Sequence, residues 1–238
     1  MIEMKAKRLA GFIVFGLAVL ALSGTAHARV YETSIGLSSG EPGAGTNLYW
    51  SFEAVSDDYE KVEGVEIDFP EGMKIAASAF QKKCVLVEFE SDGGEVCAEK
   101  YPGAKIGSGK ITTSAFGRHA VAGDAYLIDE TKTPGQANVV FFFPSGQVFG
   151  AGAQTLLSRM NFDGDKASGF VMKKIQDQLS LPFGMSAKLI NGDFRIVGQG
   201  GERPYSTPSA GALSAWKFTT RISWGDEVEP QTLQATVR

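Results

Sequence analysis

The sequence predicts an all-β protein, an antiparallel β-sandwich or jelly roll of about ten strands with little helix. Three observations carry this. Apolar and polar residues alternate with period two in several segments, Gly- and Pro-rich turns separate those segments, and no long window keeps a helical period.

The elements follow in order. Leu48, Trp50, Phe52 and Ala54 alternate with Asn47, Tyr49, Ser51 and Glu53, the mark of a half-buried strand with one wet face. Val65, Ile67 and Phe69 repeat the pattern against Glu66 and Asp68. Further strands are expected over residues 85–90, 106–116, 121–129, 156–162 and 169–175. Residues 138–143 (NVVFFF) are apolar on both faces, which suits a central strand covered on both sides. Asn191-Gly192 is either a hairpin turn or a bulge inside one long strand over 186–197. Trp216, Phe218, Thr220, Ile222 and Trp224 then alternate with Lys217, Thr219, Arg221 and Ser223. Asp92-Gly93-Gly94, Pro102-Gly103, Pro134-Gly135, Pro144-Ser145-Gly146 and Asp163-Gly164 fall between strands as turns. Single helical turns are expected within 73–82 and 173–179, and a surface loop over 198–211.

The N-terminus reads as a cleavable secretory signal over residues 1–28 of an exported, bacterial-type protein. Lys5, Lys7 and Arg8 precede an uncharged apolar run over 10–22, and Ala26-His27-Ala28 offers the small-x-small pattern of a cleavage site. The run is short of the twenty or so apolar residues a membrane span needs, so no span is expected after cleavage behind Ala28. No cysteine sits at that site to anchor a lipid. Residues 29–238 then form a single domain. Losing three cations and one anion with the leader moves the net charge from −4 to −6. That balance, without any basic run, argues against nucleic acid or an anionic membrane as partner. A transmembrane barrel fits poorly, because 138–143 is apolar on both faces and 149–152 is glycine-rich.

Cys84 and Cys97 are the only cysteines, and an even count in an exported chain reads as a disulfide. Asp92-Gly93-Gly94 between them would let a hairpin bring them together. Two cysteines without a neighbouring histidine make a poor zinc site, so neither metal nor cofactor is expected.

Pro70-Glu71-Gly72-Met73, Cys84, Cys97, Ile106-Gly107-Ser108-Gly109 opening a strand, and Leu181-Pro182-Phe183-Gly184 before a long alternating segment form an ordered set. Over about residues 53–197 this set resembles a group of uncharacterised secreted bacterial proteins with a two-cysteine motif. Members often carry proline after the second cysteine, where this chain has Ala98 and places Pro102 later. The resemblance implies a β-sandwich and supplies no active-site residue.

Candidate chemistry is sparse. His119 is the one histidine outside the leader, and it sits in a turn-like Gly117-Arg118-His119-Ala120. Asn161, Asp163, Asp165 and Ser168 resemble a calcium loop, but a loop started at Asp163 lacks the Gly and Glu such loops need, and a tight polar turn is the reading the residues favour. Glu66 with Asp68, and Glu88 with Glu90, share strand faces at a spacing that glycoside hydrolysis could use. Tyr31, Tyr49, Tyr101 and Tyr205 could stack on sugars. No catalytic residue is assigned. The sequence points to a secreted, non-enzymatic binding or structural module with an extracellular ligand or cell-surface partner. The alternative is a carbohydrate-active jelly-roll enzyme or lectin.

The leader generates a direct test. N-terminal sequencing of exported material should begin at Arg29, and recovery of membrane-held chain retaining residues 1–22 would refute cleavage there.

Overall fold

The computed structural model describes residues 31–55, 62–81, 83–85, 89, 94, 96, 97, 99–114, 117–129, 134–144, 153–179, 189–199 and 202–238. The leader, its cleavage point after Ala28, Glu88, Glu90, the Asp92-Gly93 pair and residues 181–184 lie outside them.

Among the described residues, fifteen strands form one mixed, strongly curled sheet. Its centre is an antiparallel meander of β6 (Lys105–Ser114), β7 (Arg118–Ile128), β8 (Gln136–Phe143), β9 (Gln154–Asp163) and β10 (Lys166–Lys173). Beyond β10 follow β4 (Gly64–Asp68), β13 (Lys217–Trp224) and β14 (Glu227–Gln234). Beyond β6 follow β11 (Leu189–Ile196), β3 (Leu48–Ala54), β1 (Tyr31–Leu37) and β15 (Thr236–Val237). Short β2 (Gly45–Thr46), β5 (Lys74–Ile75) and β12 (Tyr205–Ser206) branch from this path. Among the described residues, helix is confined to a four-residue α-turn, Ile175–Gln178, two 3₁₀ turns and scattered helical residues near the second cysteine.

The all-β expectation holds, but its arrangement differs. The strands share one continuous hydrogen-bonded sheet instead of dividing into two, and β1 pairs with β15 in parallel. Curling turns one face of every long strand inward, so the period-two pattern sorts residues into interior and exterior. Trp50 on β3 stacks on Phe194 of β11 at 4.3 Å between ring centres. Phe141 of β8 meets the Phe194 ring edge-on at 4.8 Å, and Phe170 of β10 lies 5.9 Å from Trp50. Offset and edge-on contacts of this kind add about 0.5–1.5 kcal/mol each to the burial of the rings.

Glycine makes room for these rings. A Cβ at Gly109 would lie 2.9 Å from Phe194 and 3.0 Å from Phe141, and one at Gly192 would lie 2.3 Å from Phe194. Asn191-Gly192 is therefore part of β11, where a register shift between Leu189 and Asn191 marks a bulge and not a hairpin. Asp163-Gly164 is a tight turn, with Gly164 at φ 59°.

The two ends of the sheet meet. The segment Glu227–Gln234 pairs with β13, and after Ala235 the same segment pairs as β15 with β1. Between β1 and the β13–β14 pair runs a polar seam. Gln231 Nε2 donates to the Tyr31 carbonyl at 2.5 Å, and Thr33 Oγ1 donates to Gln231 Oε1 at 2.8 Å. Thr33 and Thr220 hydroxyls lie 3.1 Å apart.

One patch of the exterior is covered. Tyr126, Ile128 and Val140 point outward from β7 and β8 and are buried with Cys84, Phe89, Cys97 and Ala104. β8 is thus buried on both faces, as its sequence suggests. Cys84 joins the sheet by a bridge to Ile128, and its disulfide to Cys97 is formed. The strand expected over 85–90 is not formed at its described residues, and the Asp92-Gly93 turn of the expected hairpin lies outside them. Val85 lies in no strand, and Phe89, Gly94, Val96 and Cys97 are helical. Phe89 N–H donates to the Val85 carbonyl at 3.0 Å, and Tyr101 N–H donates to the Cys97 carbonyl at 2.8 Å. A segment laid across a sheet face finds no free strand edge, so its backbone groups must pair among themselves. Phe89 fixes it there, 5.6 Å from both the Tyr126 and Phe142 rings.

Replacing Cys84 and Cys97 together by serine should lower the unfolding free energy in urea by about 2–4 kcal/mol while preserving the far-ultraviolet β-spectrum. Unchanged stability would show that the apolar contacts alone hold the cover in place.

Candidate functional site

The strand registers align outward-facing side chains into rows across the exterior. One row runs Arg221, Glu66, Val171, Arg159 and Asn138 through β13, β4, β10, β9 and β8. A neighbouring row runs Thr219, Asp68, Gly169, Asn161 and Gln136. Strands lie about 4.8 Å apart, so the backbones carrying Arg221 and Arg159 are separated by roughly 14 Å.

Two shallow grooves cross this face. The one over β13, β4 and β10 has a volume of about 550 Å³, with Glu63, Glu66, Lys173 and Arg221 in its lining. The one over β10, β9 and β8 has a volume of about 650 Å³. Its floor is Leu157 and Val171, and its polar lining is Gln136, Asn161, Gln178, Arg159, Lys173 and Lys174. No carboxylate lines this second groove among the described residues.

Local structure fixes the wall that carries the lysines. β10 ends at Lys173, leaving the Leu157 N–H of β9 without a strand partner on that side. Gln178 Oε1 takes that hydrogen, while its Nε2 donates to the Lys173 carbonyl at 2.7 Å. The reversal from β10 into the α-turn needs a left-handed residue, and Lys174 supplies it at φ 55° and ψ 40°. It is the one non-glycine residue with positive φ among those described. Such a conformation costs a side-chain-bearing residue roughly 1 kcal/mol or more.

The cations differ in their partners. Lys173 Nζ lies 2.9 Å from Glu66. Arg221 bonds Asp68 at 2.5 Å and reaches Glu66 at 3.8 Å, and the Asp68 hydrogen bond holds its guanidinium still more firmly protonated. Arg159 and Lys174 are exposed and form no ion pair among the described residues.

The residues singled out from sequence go elsewhere. His119 is in β7, opposite Thr113 of β6, so the turn lies just before it. Asp163 and Asp165 flank the β9–β10 turn. Asp165 accepts from Lys74 at 2.6 Å, which lowers its pKa. No three acidic, histidine or cysteine side chains converge as metal ligands among the described residues. Glu66 and Asp68 do share the exterior of β4, but their oxygens engage Lys173 and Arg221. Tyr31 and Tyr205 are interior residues. The Tyr205 hydroxyl meets Met160 Sδ at 3.1 Å, and burial pushes its pKa up. Tyr49 and Tyr101 are half-buried and line neither groove. Cys84 and Cys97 are bonded and lie under the cover.

Sequence reasoning missed the groove. Its visible traces were the Lys173-Lys174 pair at a strand end and the outward alternation Leu157, Arg159, Asn161. Neither shows which strands lie side by side. No family model, curated protein or solved structure matches the chain.

The backbone at Lys174 can be tested by itself. Lys174→Gly should unfold at the wild-type temperature or a few degrees above it, while Lys174→Val should lose roughly 1 kcal/mol or more. A marked loss in the glycine variant would show that the side chain, and not the turn, governs stability there.

Proposed function

We propose that this protein is an exported, non-enzymatic binding module whose working surface is the exterior of β13, β4, β10, β9 and β8. The observation that carries the reading is the second groove, where Arg159 and Lys174 stand exposed and form no ion pair among the described residues. A groove edged by fixed cations and amides is built to hold a ligand. Among the described residues its lining holds no carboxylate and no histidine. The signal-like leader over 1–28, cleaved behind Ala28, would deliver the chain outside a bacterial cell. The formed Cys84–Cys97 bond agrees with an oxidising destination. In fold terms we read the curled sheet as a flattened, sandwich-like roll, since β3 and β11 face β8 and β10 through one aromatic core.

Native affinity electrophoresis against a panel of charged and neutral extracellular polymers, with a parallel assay for new reducing ends, tests this. Retention without chain cleavage is the expected result. Release of reducing ends would overturn the reading in favour of a carbohydrate-active enzyme.

A further inference from the structure

We infer that the groove over β8, β9 and β10 binds an acidic polysaccharide, its carboxylates on Arg159 and Lys174 and its hydroxyls on Gln136 and Asn161. The inference rests on the binding-module reading and adds the ligand class.

Charge sets the first requirement. The whole chain carries a net charge of −4, yet this groove has three cations and no carboxylate in its described lining. Lys173 is neutralised by Glu66 from the adjoining groove, which leaves Arg159 and Lys174 to attract an anion. Arginine's planar fork matches a carboxylate in two-point contact, and the lysine adds a point charge.

The remaining lining narrows the anion. Gln136 and Asn161 stand opposite each other on β8 and β9, each half-buried, and each amide both donates and accepts. Such groups suit hydroxyls, which do the same. On β9, Arg159 and Asn161 are two residues apart on one face, about 7 Å along the strand, so a charge site and a hydroxyl site stand side by side in the groove. An acidic peptide would gain most from pairing its backbone with a sheet edge. These are central strands, and each is flanked on both sides. Nucleic acid would seek aromatic rings for its bases, and the described lining has none.

The test uses the mature chain with polygalacturonate and with its methyl ester, which keeps the hydroxyls and removes the charge. Titration calorimetry should show binding of the acid form, weakening as salt rises, and far weaker binding of the ester. Arg159→Gln and Lys174→Gly should each reduce affinity about two- to fivefold, as exposed charge pairs do. Lys110→Gln, on β6, should leave it unchanged. The glycine variant separates charge from folding, because its backbone gains where its binding loses. Equal binding of acid and ester, wild-type affinity in the double variant, or no binding of polygalacturonate would each overturn the inference. Binding of acid and ester alike without cleavage leaves the module reading standing, whereas cleavage of the polymer removes that reading too.

Discussion

Closure of the sheet by the segment Glu227–Val237 is the constraint on which the other features depend. An open sheet this wide would expose two long edges and one apolar face. Here one stretch of chain lies along both ends, as β14 beside β13 and as β15 beside β1. The seam beneath it is polar: Gln231, Thr33 and Thr220 join strands whose backbones do not pair. Buried amides and hydroxyls are costly unless satisfied, so the seam accepts only one alignment of the two ends. That alignment brings β3 and β11 opposite β8 and β10 and lets Trp50, Phe141, Phe170 and Phe194 fill the space between.

The core and the candidate groove consequently occupy opposite faces of the same strands. Inward residues of β9 and β10, such as Met160, Phe170 and Met172, belong to the core. Outward residues one position away, Arg159, Val171 and Lys173, line the groove. The exterior ion pairs are partly solvated and contribute little to holding the fold. The groove can therefore vary without cost to the core. The exterior around Tyr126 and Ile128 of β7 and Val140 of β8 is the exception, since it is sealed by the disulfide-linked cover and given over to stability.

How much of this was legible in the sequence follows from which residues each element buries. β3, β4 and β13 bury clean apolar alternations and were readable. β8, doubly apolar, was readable as central. β14 was not, because Pro230 and its charges interrupt the strand pattern and because it buries Gln231 at the seam. β1 follows directly on the apolar leader, which masks its own alternation. Between the cysteines the sequence carries strand-like valines and a Gly-Gly pair, and only the structure shows that the described residues Phe89, Gly94 and Val96 are helical. The groove is a property of register. Arg159, Val171 and Glu66 become neighbours through pairings that no local pattern encodes.

The joining of β1 to β15 also bears on how the chain reaches its native state. Gly36 pairs with Thr236 and Leu37 with Val237, contacts spanning almost the whole folded length. Local hairpins such as β6–β7 and β9–β10 can form early, but the two ends of the curled sheet cannot join until its most distant parts have met. Loop-closure entropy makes such non-local pairing slow. Until it occurs, the free edge of β1 and the aromatic interior are open to other chains, so the lifetime of the unclosed sheet sets the aggregation hazard of this protein.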